Sequence, residues 1–334
     1  MAEEQQSIIE SAGPIVLVTG ASGTIGRRLL PVLTDAGYQV RALTSRLPLP
    51  DAPQIEWRKH DWLQTLDFDE EVAGVSAIIH LGAEISRAPL MERVNVEATR
   101  ALGAAAQRAR VRCFIYTSSM AVYGSALKPV VTEETPTLTT SQDVSAEYRA
   151  YPYLRTYGRT KLLGEKALTD VLRTVECAIF RPTIVVDVPQ LVELATWGRL
   201  RRFALGRRRT NYVFIEDVAQ ALAWRLQQAL QRPAPYAGVE VYNLSDDDTP
   251  QKSVADFYAR AYAATGHNAF APSPYAPLEI YKLIDAAKYK TMSRRLPLGM
   301  MRYSPTKLFT AGYKHKYGMA QAYQMAIESF MSSQ

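Results

Sequence analysis

Val16-Leu-Val-Thr-Gly20-Ala-Ser-Gly23-Thr-Ile-Gly26 is the most informative stretch of this sequence. An apolar, strand-like run enters three glycines spaced three apart, and Arg27-Arg-Leu-Leu-Pro-Val-Leu33 follows as a helix-like run. Strand, glycine turn and helix together make a dinucleotide cradle. Glycine tolerates positive φ and lets a backbone approach a pyrophosphate, while the helix N-terminus offers free N–H groups and partial positive charge. A glycine triplet by itself is a weak signal, so the rest of the chain has to agree with it.

Working outward, residues 38–44, 75–81, 113–117 and 177–181 read as strands, and 95–108 and 162–172 as helices. Short apolar strands alternating with amphipathic helices predict an α/β fold, a Rossmann-type doubly wound parallel sheet covered on both faces. Right-handed crossovers place the strand C-terminal ends along one ligand-binding edge. The pattern changes after Pro182. Residues 187–210 are basic and read as irregular, 213–228 returns to strand then helix, and 239–244 is a further strand. This predicts a nucleotide-binding domain over 12–186, with 211–245 returning to it. A smaller substrate-binding lobe is predicted from 187–210 and 246–334.

The bulk properties bound the function. A chain of 334 residues with 47% apolar content can bury a large core. The opening MAEEQQSIIESAGP has neither a basic start nor an apolar core, and no apolar run reaches the ~18 residues of a spanning helix. A cytoplasmic protein without membrane association is therefore expected. Cys113 and Cys177 lie in apolar strands and read as buried thiols, not as a disulfide or a metal site. Residues 1–170 hold 18 Lys+Arg against 20 Asp+Glu, whereas 171–334 hold 21 against 13. Six of those basic residues are the arginines of 198–209. That cluster reads as solvated surface, or as a site for a phosphate-bearing substrate, a coenzyme A thioester or an acidic carrier. It lacks interleaved aromatics apart from Phe203, so no nucleic-acid partner is expected.

The chemistry-bearing constellation is Thr117-Ser118-Ser119 at a strand end, followed by Tyr157-Gly-Arg-Thr-Lys161 opening a helix. Tyr157 and Lys161 are four apart and share a helical face. A nearby ammonium stabilises tyrosinate and lowers a Tyr pKa from about 10 toward neutrality. Tyr157 could then exchange a proton with an oxygen whose carbon exchanges hydride with a nicotinamide. Ser119 would hold that oxygen, and Lys161 could also grip the nicotinamide ribose. On its own, a Tyr-x-x-x-Lys pair is more often solvated helix surface; the glycine turn and the serine at a strand end favour catalysis.

With these residues in place the chain resembles the extended short-chain dehydrogenase/reductases, the NAD-dependent epimerase/dehydratase group, from Ile15 to about Ile327. Thr19-Gly-Ala-Ser-Gly-Thr-Ile-Gly26 matches its T-G-x-x-G-x-x-G turn. Further matches follow in order: His60-Asp61, Ile78-Ile-His-Leu-Gly-Ala83, Val94-Asn-Val-Glu-Ala-Thr99, Phe114-Ile-Tyr-Thr-Ser-Ser-Met-Ala-Val-Tyr-Gly124, Val131-Thr-Glu-Glu-Thr-Pro136, Arg181-Pro-Thr183, Tyr212-Val-Phe-Ile-Glu-Asp-Val218 and Val241-Tyr-Asn-Leu244. The resemblance implies that Gly20, Ser22, Gly23, Thr24, Ile25 and Gly26 line the pyrophosphate. It places Asp61 at adenine and Leu81, Gly82 and Ala83 beside the ribose. Thr117, Pro182 and Thr183 fall near the nicotinamide. Ser119, Tyr157 and Lys161 become the catalytic set, with Tyr157 and Lys161 also touching the cofactor. A homodimer is a further implication.

NAD-preferring members place an acid at the end of the second strand for the ribose 2′-OH. Here that place holds Thr44, followed by Ser45 and Arg46, with Arg41 and Arg27 nearby. This favours NADP(H), with NAD(H) the alternative. Met120-Ala121 stand where 4,6-dehydratases carry Asp-Glu, and Thr210 stands where epimerases carry a diphosphate-binding Arg. Simple hydride exchange between NADP(H) and a small-molecule ketone or secondary alcohol, anionic or carrier-linked substrates included, is the expected reaction. An epimerase with tightly held NAD and an NADP-sensing regulator are the alternatives. The 38-position gap from Ser119 to Tyr157 contains a Thr-, Ser- and Tyr-rich stretch, 138–154, that reads as substrate wall or as surface insertion.

Overall fold

A computed structural model describes residues 13–45, 52–124, 126, 128–140, 152–233, 237–246, 253–277, 279–280, 283 and 301–334. Arg46 and most of the 138–154 stretch lie outside the described residues. Among those described, the strands are β1 (Ile15–Thr19), β2 (Gln39–Thr44), β3 (Ile55–Lys59), β4 (Ala77–His80), β5 (Cys113–Thr117), β6 (Val130–Val131), β7 (Glu176–Pro182), β8 (Ile184–Val186), β9 (Tyr212–Phe214), β10 (Val239–Leu244) and β11 (Arg302–Tyr303). The principal helices discussed are α1 (Thr24–Asp35), α2 (Ala98–Ala109) and α3 (Pro152–Val171). No helix among the described residues is long and apolar enough to cross a membrane.

The chain divides into two compact units. The first comprises the chain up to Ser118 with Arg159–Phe180 and Ala219–Val241; the second comprises Ser119–Gly158, Arg181–Val218 and Tyr242–Gln334. Residues 119–158 group with the second unit, where the Tyr123 phenol donates to Asn243 Oδ1 at 2.6 Å and Arg181 Nη1 donates to the same phenol at 2.8 Å.

The first unit is built on a seven-stranded sheet of order β10-β7-β5-β4-β1-β2-β3. β1 pairs in parallel with β2 on one side and β4 on the other. The order therefore reverses at β1, which is where open α/β sheets leave a crevice at their strand C-termini. β1, β4 and β5 are almost wholly buried, as a parallel sheet covered on both faces requires. β3 is absent from the sequence reading because it is the sheet edge, and its Ile55 and Trp57 alternate with charge. On one face, Leu17, Ile78 and Phe114 pack with Leu102 of α2 and Leu168 of α3.

Two expectations change. α3 begins at Pro152, so Tyr157 lies in its second turn and not at its opening. Residues 187–210 are not irregular but carry helices Val188–Ala195 and Arg199–Leu205. Asp187 Oδ1 accepts the Gln190 amide at 3.0 Å, and Gln190 Oε1 accepts the Asp187 amide at 3.0 Å. That capping box, with Pro189 in the first turn, starts a helix in a stretch whose charge pattern hides it.

Within the second unit β8 pairs with β9 and β6 with β11. Helices Val254–Thr265 and Gly318–Ser332 enclose an aromatic cluster of Phe257, Tyr258, Phe270, Tyr323 and Phe330. Asp217 accepts the amides of Lys316, Tyr317 and Gly318 at 2.7–3.0 Å, tying the last helix to its unit.

The first unit also buries an ion group. Arg225 and Glu176 are 1% and 0% exposed and hydrogen-bonded to each other. Glu240 pairs with Arg225 at 2.8 Å and Arg232 with Glu176 at 2.9 Å. Removing one partner strands a buried charge, which costs about 3–5 kcal/mol. Glu176→Gln should lower unfolding stability by that amount in urea titration. A change under about 1 kcal/mol would show the group to be solvent-screened.

Candidate functional site

The glycine turn leaves β1 at the point where the sheet order reverses. Gly20 has φ +65°, and a Cβ there would stand 2.8 Å from the Gly82 nitrogen. A Cβ on Gly26 would stand 2.4 Å from the Ala21 carbonyl oxygen. Only glycine lets the turn close against the β4 loop and against α1. Thr19 Oγ1 accepts the Gly82 amide at 3.2 Å, which fixes the β4 loop beside the turn.

A cavity of ≈ 680 Å³ opens there, lined by Gly20, Ser22 and Gly23 from the turn, Leu43, Thr44 and Ser45 at the end of β2, residues 60–63 after β3, and residues 81–84, Arg87 and Val94 after β4. Its size is that of a cofactor site. Of the residues expected to hold cofactor, Gly20, Ser22, Gly23, Thr44, Asp61, Leu81, Gly82 and Ala83 share this one cavity. Thr24, Ile25 and Gly26 form the first turn of α1, whose N-cap Gly23 supplies no side-chain cap and whose first turn holds no acid. The partial positive charge of that helix end is unopposed, as a phosphate site requires. The Thr117 hydroxyl, at the end of β5, is buried without a hydrogen-bond partner. Glycine turn, bare helix end and cavity fit a nicotinamide dinucleotide.

Sequence reasoning missed several lining residues. Glu84 accepts the amides of Ser86 and Arg87 at 2.9 and 3.0 Å and Arg87 Nε at 2.6 Å. Burial pushes its carboxyl up, but those hydrogen bonds outweigh burial and hold it at about 2. Asn95 closes the loop, accepting the Glu84 amide at 2.8 Å and donating to its carbonyl at 2.9 Å. Asn95 sits in a π-helical turn, Arg93–Glu97, which no local propensity announces. Trp62 packs so closely on Gly82 that a Cβ there would lie 2.1 Å from its ring.

Where the sequence reading expects the ribose 2′ group, at the end of β2, Thr44 Oγ1 lies 2.9 Å from Ser22 Oγ. Arg41 does not serve this position. It is 7% exposed, donates to Glu56 at 2.9 Å and to the carbonyls of Glu71 and Ala73 at 2.8 Å, and so braces β2 against its neighbours. Arg27 Nε donates to the Ser22 carbonyl at 2.9 Å.

The catalytic candidates fall as follows. In the first unit Lys161 is 1% exposed, donates to the Thr117 carbonyl at 2.7 Å, and lies 4.1 Å over the Tyr116 ring. Burial lowers its ammonium to about 7, against an upward pull from Glu165. In the second unit Tyr157 is hydrogen-bonded to Ser119, and burial pushes its phenol up to about 12 against that bond. The expectation of a lowered Tyr157 pKa is therefore overturned for this state, because desolvation outweighs the hydrogen bond. Ser119 Oγ also accepts the Ala121 amide at 3.1 Å, which fixes its rotamer. The Thr183 amide donates to the Leu244 carbonyl at 3.0 Å, so it is already used within the second unit; Pro182 beside it is buried.

The arginine cluster is not one surface. Arg202 is 7% exposed, donates to the Trp197 and Ala271 carbonyls at 3.0 and 3.3 Å, and stacks 3.9 Å from the Tyr258 ring centroid. It is a packing residue of the second unit. Arg199, Arg201 and Arg207 are exposed.

Residues 16–186 match the model of the NAD dependent epimerase/dehydratase family. The N-acetyl-alpha-D-glucosaminyl-diphospho-ditrans,octacis-undecaprenol 4-epimerase of Escherichia coli O157:H7 is 26% identical over 247 residues, 69% of this chain and 67% of that one. The 2-alkyl-3-oxoalkanoate reductase of Stenotrophomonas maltophilia (strain K279a) is 26% identical over 262 residues, 75% of this chain and 76% of that one. Several relatives at 30% identity or above are matched over less than half their own length. Among solved structures, a short-chain dehydrogenase/reductase superfamily protein from Agrobacterium tumefaciens, with bound NAD, has TM-score 0.69 at 24% identity, covering 96% of this chain and 98% of that one; it shows the shared fold.

The Glu84 clamp has a pH signature. Its folded pKa lies below the ordinary carboxylate value, so its stabilisation is complete above about pH 4.5 and is lost as pH falls toward 2. Glu84→Gln should cost about 2–3 kcal/mol at pH 7 and less than about 1 kcal/mol near pH 2.5. Denaturant titrations of both proteins at the two pH values check this; an equal cost at both would sink the clamp.

Proposed function

The chain belongs to the NAD-dependent epimerase/dehydratase family, and from that premise we propose an NADP(H)-dependent oxidoreductase that exchanges hydride with a ketone or secondary alcohol, Tyr157 being the acid–base group. The observation that carries the reading is α3, which presents Tyr157, hydrogen-bonded to Ser119, and Lys161 one helical turn later. A bound nicotinamide dinucleotide would supply the hydride chemistry. Ser119 holds the substrate oxygen with a hydroxyl whose rotamer Ala121 fixes. Tyr157 donates its proton to that oxygen in reduction and removes it in oxidation. Lys161 supports tyrosinate by charge. Gly20, Gly23 and the first amides of α1 hold the pyrophosphate, and Asp61 meets adenine.

For the choice of dinucleotide, Thr44 and Ser45 line the cavity at the end of β2 with hydroxyls and no carboxylate. An acid there would grip a 2′-OH and repel a 2′-phosphate. The 2-alkyl-3-oxoalkanoate reductase among the relatives supports ketone chemistry on an organic acid or its derivatives. The undecaprenol-linked epimerase favours a second reading, in which the hydride returns to the same substrate.

Stoichiometric NADPH oxidation with a ketone panel that includes 2-alkyl-3-oxoalkanoates separates the two. Net turnover supports reduction; co-purified, non-exchanging NAD without net turnover supports epimerisation. In the reductase, Tyr157→Phe should lower kcat by ~10³-fold or more with NADPH affinity retained. Thr44→Asp should move preference toward NAD by at least ~10-fold, measured as a ratio of dissociation constants.

A further inference from the structure

Lys161 is nearly without solvent, and an ammonium in that position needs a counter-charge. Its Nζ meets the Thr117 carbonyl from β5 and the Tyr116 ring, and neither carries net charge. From β4 comes His80, whose imidazole is held neutral: burial, then the Lys161 charge, push its pKa well below the ordinary value. Its Nδ1 and Nε2 are taken by Thr19 and Thr99 at 2.6 and 2.9 Å. On α3 itself Tyr157 precedes Lys161 by one turn and Glu165 follows it by one turn. Glu165 is 5% exposed, and its Oε1 accepts the Ser118 hydroxyl at 2.5 Å.

We infer that Glu165, oriented by Ser118, is a positioning residue that favours the ammonium form of Lys161 and pins α3 to the end of β5. Two neighbouring residues of the strand end, Thr117 and Ser118, take two successive turns of the helix, at Lys161 and Glu165. The close approach this needs is visible at Gly164, where a Cβ would lie 2.6 Å from the Tyr116 phenol oxygen and 2.7 Å from the Asn95 carbonyl oxygen. Residues four apart on a helix have Cβ atoms about 5–6 Å apart, so in a buried setting the carboxylate raises the ammonium's proton affinity, against a larger downward push from burial. Burial and Glu165 then act in opposition and leave Lys161 titrating at about 7.

The functional weight of the inference rests on the reading of Lys161 as a cofactor- and Tyr157-supporting group, but its physical content does not. The test uses the full chain labelled with ¹³Cε-lysine, with Lys161→Met identifying the resonance. In the parent protein Lys161 should titrate near 7. In Glu165→Gln its midpoint should fall by about one pH unit or more, in Ser118→Ala by less, and Glu165→Asp should recover part of the shift. NADP⁺ affinity at pH 7, read by protein fluorescence, should weaken several-fold in Glu165→Gln, and the difference should close by pH 5, where both lysines are protonated. An unchanged Lys161 midpoint in both Glu165→Gln and Ser118→Ala overturns the inference, and Ser118→Ala alone decides if Glu165→Gln does not fold. If instead Lys161→Met leaves NADP⁺ affinity and NADPH turnover intact while the midpoint shift is observed, the functional reading of Lys161 falls and the Glu165 pair stands.

Discussion

The close passage of two backbones, Gly20 of the first turn and Gly82 of the loop after β4, is the constraint on which the site depends. No side chain fits at either residue: one is blocked by the other's backbone, the second by the Trp62 ring. Because the passage is tight, β1 and β4 end at the same level, and the β2 and β3 ends open into the same cavity. Gly20, Thr44, Asp61 and Gly82 come together in one cavity along that level edge. The glycines are needed less for flexibility than for thinness.

Below the edge the interior carries an ordered run of polar and aromatic side chains. Thr19, His80 and Thr99 form a hydrogen-bonded line, His80 stacks on Tyr116 at 5.3 Å, and Lys161 lies on Tyr116. Such a line is stable only when each member has its partner. It ties the residue before the glycine turn to the lysine of α3. A neutral His80 suits that place, since a second cation beside Lys161 would lower its proton affinity further.

The parallel sheet was legible because buried strands read as apolar runs and the glycine turn marks the first of them; β1, β2, β4, β5 and β7 emerge where the pattern puts them, within a residue or two. The edge strand β3 was not, since an edge alternates charge with apolar residues and resembles a loop. Half the cavity lining was legible from the turn, Thr44, Asp61 and 81–83. Glu84, Arg87 and Trp62 were not, because their roles come from long-range packing and not from a local motif. Arg41 shows the converse error: an arginine close in sequence to the 2′ position is drawn into the interior by Glu56 and two carbonyls. Asp187 and Gln190 carried a readable capping signal for a helix that the arginine-rich context obscured.

The π-turn at Arg93–Glu97 widens the helix by one residue ahead of α2. An ordinary α-helix advances about 100° per residue, so deleting one residue there would rotate everything on one side of the turn relative to the other by that angle. As built, Asn95 reaches Glu84 and donates to Thr160 Oγ1 at 3.1 Å, while Ala98, Leu102 and Ala105 of the same rod face the apolar core. The extra residue is a phase correction that lets one rod satisfy two differently directed surfaces. Substituting residue types along it would leave that phase intact, whereas a single insertion or deletion would erase it, so the length of this segment is fixed by the two surfaces it serves.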